Sequence, residues 1–289
     1  MLSTVVLSNE NQTCRGWEAT TSTGGGGCHK VTGKYEGIFK KEKVEILSEW
    51  FSGIKAKFIL DFIADQRWKY ITDGLKVTLE VTFLALILGL VLGAVIAVIR
   101  TTHDQLKEDQ SKGFGSFLIK LADLICRVYL TVIRGTPTMV QLLIMFFIVL
   151  ASSNNKVMVA VITFGVNSGA YVAEIFRSGI MSVDKGQMEA GRSLGLGYTD
   201  TMLQIIMPQA IKNCLPALVN EMITLLKETS ICGYIGLNEL TRGGDIIRGI
   251  TYDAMMPLLI VEVIYLVIVM FFTWLMGKLE RRLRESDIR

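Results

Sequence analysis

Apolar residues in this chain fall in long blocks, separated by short stretches dense in charge and glycine. Five blocks stand out, at 81–99, 135–152, 157–176, 208–226 and 257–276. Each is long enough as a helix to cross a hydrocarbon core of about 30 Å, which takes about 20 residues. The pattern therefore predicts an all-α membrane protein with about five transmembrane helices. Arg100, Arg177 and Lys278 close the first, third and fifth blocks. Gly89 and Gly93, one helical turn apart in the first block, predict a closely packed helix pair.

The flanking segments read differently. Residues 1–34 are rich in Thr, Ser and Gly (TSTGGGGCHK) and lack periodicity, so a flexible tail is expected there. They carry no basic run followed by an apolar core, and so do not read as a signal peptide. Within 35–76, Phe51, Ile54, Phe58, Ile59, Phe62 and Ile63 recur at helical spacing, with Lys55, Lys57, Asp61 and Asp65 between them and Trp50, Trp68 and Tyr70 at the flanks. That is the pattern of an amphipathic helix over 44–72, lying on the membrane surface or packed on protein. In 116–134, Lys120, Asp123, Arg127 and Arg134 share one face, which predicts an interfacial approach helix. The expected organisation is a tail at 1–34, an interfacial segment at 35–76, a transmembrane domain at 77–284 with a polar loop at 182–207, and a short tail at 285–289.

Basic residues orient the spans. Arg100, Lys107, Lys112, Lys120, Arg127 and Arg134 lie between the first and second blocks, and Arg177, Lys185 and Arg192 between the third and fourth. Lys278, Arg281, Arg282, Arg284 and Arg289 follow the fifth, whereas the opposite loops hold Lys156, Lys227, Arg242 and Arg248. This predicts the 182–207 loop and the C-terminus inside, and the N-terminus outside.

The loop contains VDKGQMEAGRSLG. Asp184 is an expected N-cap with Gln187 three residues on, Met188, Gly191 and Leu194 make a small apolar face, and Gly195 is placed to end the helix. A second helical piece follows, with Thr199 as its cap and Met202, Leu203 and Ile206 apolar, before Pro208 opens the fourth block. Two ordered helices too polar to insert suggest a rigid lever for a partner on the cytoplasmic face.

At these residues the chain resembles the ABC importer permeases. Glu189, Ala190 and Gly191, then Gly195, then Ile205, Met207 and Pro208, follow the EAA-loop pattern of that family, with Gly191 in place of the second alanine and Met207 in place of leucine. RGTPTMVQL, GAYVAEIFRSGI, PQAIKNCLPALVNEMITLLKETS and IGLNELTR are similar to the branch that imports polar amino acids, and the resemblance runs from about Trp68 to Arg284. It implies a type I importer fold with cytoplasmic coupling helices. It also implies that Glu189, Ala190, Gly191, Gly195 and Pro208 couple the chain to a separate ATPase subunit pair. The other implied partners are a second permease copy or sister permease, an extracellular substrate-binding protein, an amino-acid substrate and the lipid bilayer. The chain has no GxxxxGK[ST] motif, so it is expected to bind no cofactor, with ATP and Mg on the partner ATPase and no catalysis of its own.

Polar residues inside the blocks are the candidates for the substrate pathway, because a buried acid in a span is costly and usually faces a wet path or the bundle interior. Glu221 leads, with Asn220 beside it, Asn213 seven residues earlier on the same face, and Pro216 between them. Its carboxylate suits the ammonium of an amino acid or, alternatively, a hydrogen bond between spans. Gln141, Thr138, Asn167 and Ser168 are further candidates, as are Tyr171 and Glu174, with Arg177 a possible partner for Glu174. Gly165 and Gly169 around Asn167 and Ser168 also read as a packing seam.

Composition narrows the rest. The net charge of +3 over 289 residues gives no argument for nucleic acid, and the five cysteines and two histidines show no metal-ligand spacing. Cys14 and Cys28 can pair if that end lies outside, though nothing in the sequence requires it. Other readings are the same machinery carrying another small solute, and a channel or membrane sensor with a cytoplasmic docking loop. The full loop spacing joined to a proline-started span fits the first of these as well, whereas a channel has no need of it.

Overall fold

A computed structural model describes residues 52–53, 55–108 and 114–287. The chain divides into two compact units, 1–57 and 58–289, and the architecture below is that of the second. The predicted tail at 1–34, with Cys14 and Cys28, lies outside the described residues.

The expected amphipathic helix over 44–72 is not continuous where it is described. A π-helical turn at Ile59–Ile63 and a 3-10 turn at Ala64–Gln66 precede the first long helix, α1 (Trp68–Glu108). Asp65 and Gln66 take φ of 52° and 55°, a left-handed conformation that no helix continues through. Asp61, expected on the polar face, is buried next to Phe62. Phe62 packs with Ile71, Leu240, Ile247 and Val261.

The centre of the fold is α1 packed along α4 (Lys156–Met181). The predicted glycine seam is present and two-sided. A Cβ on Gly93 would lie 2.5 Å from Val172 Cγ1, and one on Gly165 2.6 Å from Leu88 Cδ2. Gly89 meets Ser168, and Leu92 covers Gly169. Residue numbers rise together along both helices, so the two run parallel, and small residues let their backbones approach. Phe164, Val159, Ala160 and Ala170 of α4 are fully buried.

The stretch 116–152 corrects the expectation of one approach helix and one straight span. It forms α2 (Phe114–Gly135) and α3 (Thr138–Ile144), with a π-helical turn at Met145–Val149, and the two arms bend by 108° at the break. Pro137 has no N–H to continue α2, and it caps α3 with an extended ψ of 132°. Gln141 braces the bend, donating from Nε2 to the Ile133 carbonyl (2.8 Å) and Thr136 Oγ1 (2.8 Å).

The 182–207 loop folds as α5 (Lys185–Ser193) and α6 (Tyr198–Thr201). A π-helical turn at Met202–Ile206 carries α6 directly into α7 (Met207–Glu228). α7 runs antiparallel to α4, with Gly179 beside Ala210 and Cys214 at one end and Ser168 bonded to Glu221 towards the other. A 3-10 segment at Thr229–Ile235 leads to α8 (Leu240–Thr251) and then α9 (Met255–Asp287). Tyr265 of α9 reaches Glu239, next to which Leu240 N–H donates to Thr78, while Phe272 meets Phe83. So α9 runs parallel to α1.

Among the described residues, α1, α4 and α9 are long and apolar enough to cross a membrane, and the bent α2–α3 pair makes a fourth. α7, expected as a further span, has 22 residues, about 33 Å at 1.5 Å each. Composition alone does not mark it as a span, because Lys212, Asn213, Asn220 and Glu221 interrupt it. Those residues line the cleft described next. The protein is membrane-embedded and all-helical in its described part.

Candidate functional site: a coupling loop joined to a polar cleft

The loop is built on a small apolar knot. Val183, Ile206 and Ala210 are buried together, with Ile180, Met188, Met202 and Ile205 around them. Asp184 caps α5 as expected, but its side chain accepts from Gly186 N–H (2.6 Å), and Gln187 gives its backbone N–H to the Asp184 carbonyl (3.0 Å). Gly195 ends the helix at φ 88°, open to glycine and strained for other residues. Two details differ from expectation. Gly197, not Thr199, caps α6. Leu194 does not join the apolar face but stands 82% exposed at the tip.

Gly191 is the point where α5 touches the rest of the loop. It is buried against Thr201, and a Cβ there would lie 2.5 Å from Thr201 Cγ2 and 3.2 Å from Ile205 Cδ1. Thr201 is fully buried and donates from Oγ1 to the Gly197 carbonyl (2.9 Å). The departure from the family pattern at Gly191 thus has a steric partner. Glu189 and Ala190 are exposed, as is Pro208, which sits in the first turn of α7.

α7 carries the loop into a cleft of about 700 Å³ between α2, α4 and α7. Its lining includes Arg134, Tyr171, Glu174, Ser178, Lys212, Asn213, Asn220 and Glu221. Asn213 and Asn220 share this face as their spacing predicts. Glu221 Oε1 accepts from Ser168 Oγ (2.9 Å), so Ser168, itself fully buried, holds the carboxylate from behind. Pro216, also in the wall, removes the N–H that would bond the Lys212 carbonyl. Arg134 lies over the Tyr171 ring at 5.6 Å. Glu174 pairs with Arg177 (3.1 Å), as the sequence suggests, and also faces Arg100 (3.6 Å) and Arg134 (3.9 Å).

The other pathway candidates sit elsewhere. Gln141 accepts from Asn167 Nδ2 (2.9 Å), and the pair ties the α2–α3 bend to α4 rather than lining the cleft. Thr138, half-buried, opens α3 outside the cleft wall. Sequence reasoning missed Arg134 and Lys212 as cleft residues. Arg134 counted there as an orienting charge and as part of the polar face of the 116–134 helix, not as a residue of the pathway. It also missed Glu239, a fully buried carboxylate that caps α8 by accepting from Thr241 N–H and Arg242 N–H, both at 2.7 Å. Burial pushes its pKa up to about 7, against the opposing pull of those N–H groups. Among the described residues no His, Cys, Asp and Glu group is arranged to hold a metal ion.

Known proteins are similar to this chain in sequence and in fold. Residues 114–285 match the family model described as "Binding-protein-dependent transport system inner membrane component". The chain is 38% identical over 232 residues to the arginine transport system permease protein ArtQ of Bacillus subtilis, covering 79% of this chain and 99% of that one. It is 36% identical over 178 residues to the glutamine transport system permease protein GlnP of Escherichia coli K12, covering 60% and 80%. Among solved structures, one described as an amino acid ABC transporter with histidines superposes with a TM-score of 0.67 at 40% identity, over 76% of this chain and 98% of that one. An inward-facing MetNI methionine ABC transporter superposes with a TM-score of 0.61 at 19% identity, over 75% and 97%, a likeness of fold alone. The chain belongs to the family of binding-protein-dependent transport system inner membrane components.

Proposed function

We propose that this chain is the permease subunit of an ATP-driven importer of polar or charged amino acids. The observation that carries the reading is mechanical continuity. α5 presents Glu189 and Ala190 outward and packs through Gly191 on Thr201. From Thr201 the chain is helical without a break to Glu228, past Glu221 in the cleft. A displacement of α5 by a partner therefore moves the cleft wall, the kind of rigid-body coupling that switches a transporter between outward and inward states. The partner that moves α5 is a pair of ATPase subunits carrying ATP and Mg, with this chain non-catalytic. A binding protein on the opposite side delivers the substrate, and a second copy or a sister permease completes the pathway. The loop end of the bundle, rich in Arg and Lys, faces the cytoplasm.

The substrate class follows from the cleft. Glu221 offers a carboxylate to an ammonium, Asn220 adjoins it, and Asn213 lines the same cleft about two turns away, where its Nδ2 donates to Ser182 Oγ. Relatives named for arginine and glutamine transport support an amino acid as cargo. The test is uptake into proteoliposomes by the assembled complex. Glu221→Gln should reduce uptake of amino acids at least about tenfold, since a lost charged hydrogen bond is worth about 1.5–3 kcal/mol, while the complex still assembles. Unchanged uptake with unchanged substrate preference refutes the assignment of Glu221.

A further inference from the structure

A second cleft, of about 540 Å³, lies between α1, α2 and α4. Arg100, Arg127 and Arg134 line it, and Glu174 is the one acid in its wall. Asp123, buried behind the wall, takes up part of this charge. It accepts from Arg127 Nε (2.6 Å) and lies 3.7 Å from Arg100 Nε. Arg100 Nε is itself buried and makes no hydrogen bond, and its guanidinium stands 3.6 Å from Glu174. Three guanidinium groups thus stand against the two carboxylates of Glu174 and Asp123, a net positive charge around a space large enough for a phosphate group.

The same helix carries an apolar groove. Leu124, Ile125, Val128, Val132 and Ile133 of α2, with Tyr129, line a shallow space of about 470 Å³. Leu124, Ile125, Val128 and Val132 are each more than half exposed. Lys120, Arg127 and Arg134, seven residues apart, form the basic stripe beside it. A cationic stripe next to an exposed apolar face is the pattern of a helix that takes an anionic headgroup on one side and an acyl chain on the other. Because α1 and α4 run parallel, this cleft lies at the end of the bundle that holds the α5 loop, the end the basic residues assign to the anionic leaflet.

We propose that the cleft walled by Arg100, Arg127 and Arg134 binds the phosphate of an anionic phospholipid, with an acyl chain along Leu124 and Val128. The site shares Arg134, Tyr171 and Glu174 with the polar cleft, so a bound headgroup sits against the wall of the cargo site. The proposal needs only that the chain is embedded in a membrane, and does not rest on the cargo being an amino acid.

The test is native mass spectrometry of the full-length chain in its purified complex, titrated with phosphatidylglycerol or phosphatidylcholine in mild detergent. The wild type should retain phosphatidylglycerol at least about tenfold better than phosphatidylcholine. Arg127→Gln and Arg100→Gln should each bring retention down towards the phosphatidylcholine level. Equal retention of the two lipids by the wild type overturns the proposal, and needs no variant to fold. So does selectivity that survives both substitutions. Displacement of the bound lipid by millimolar inorganic phosphate makes it a site for a soluble anion instead. A ready disulfide between two copies carrying Leu124→Cys makes the groove a permease–permease contact, and also overturns the lipid assignment.

Discussion

Replacing Gly191 with alanine restores the residue usual at that place in the family's loop, and the structure predicts that it weakens this loop. Alanine in a helix interior is favoured over glycine by up to about 1 kcal/mol. Against that stands the new methyl group, 2.5 Å from Thr201 Cγ2 and 3.2 Å from Ile205 Cδ1. Thr201 cannot swing away cheaply, since it is fully buried and its hydroxyl is bonded to the Gly197 carbonyl. Overpacking of this kind costs about 1–3 kcal/mol, so Gly191→Ala should lose about 1 kcal/mol of loop docking. Thr201→Ser removes the opposing methyl and keeps the hydroxyl. The double variant should then recover the loss and keep the helical gain, an interaction of about 1–2 kcal/mol in a double-mutant cycle. The assay is the affinity of the ATPase for the detergent-solubilised permease, measured beside its thermal midpoint, for the four proteins of the cycle. Gly191→Ala binding the ATPase better on its own, or Thr201→Ser giving no rescue, refutes the steric pairing.

Other outcomes follow from the same geometry. Gly93→Ala puts a Cβ 2.5 Å from Val172 and 2.9 Å from the Ala173 backbone nitrogen; with backbone unable to yield, it should lower the thermal midpoint, whereas Gly277→Ala, in open space, should not. Glu239 holds its proton to about pH 7 in the folded protein, while in the unfolded chain it loses it near the ordinary value of about 4.3. The folded state therefore binds the extra proton between those values, and stability should fall as pH rises from about 4.5 to 7, by an amount on the order of 3 kcal/mol. Thermal melts of wild type and Glu239→Gln across that range should show the slope in the first and its loss in the second. Glu174→Gln removes the charge that pairs with Arg177 at 3.1 Å and faces Arg100 and Arg134; uptake should fall while ATPase binding at α5, which begins at Lys185, is retained.

The sequence was readable where one period dominates. The apolar blocks gave α1, α4 and α9, and the Gly89–Gly93 spacing gave the α1–α4 seam, because small residues one helical turn apart have few uses in a membrane span. The loop was legible because its caps, Asp184 and Gly195, are local signals. What failed depended on tertiary context. The break at Pro137 looked like the start of a span, yet only Gln141 reaching back to Ile133 and Thr136 makes it a sharp bend within one. Asp61 and Asp123 fell on polar faces by periodicity and are buried, the first without a hydrogen-bond partner and the second beside Arg127. Thr201 carried no signal at all, since its role is to fill the space that Gly191 leaves. Glu221 and Asn220 were found from the cost of polar groups in a span, but Gln141 and Asn167 satisfy that cost with each other.

The central claim is that α5 is the joint to an ATPase. The most direct measurement is a mild-detergent pull-down of the full chain from native membranes, beside a Glu189→Arg, Gly195→Val double variant. Glu189 is exposed and Gly195 has φ 88°, so the pair reverses the outward charge and strains the end of α5 without touching the spans. The account predicts a P-loop ATPase with the wild type, lost from the variant while the membrane domain stays folded. An ATPase that remains equally bound to the variant, or none with either protein while the chain is folded, contradicts it.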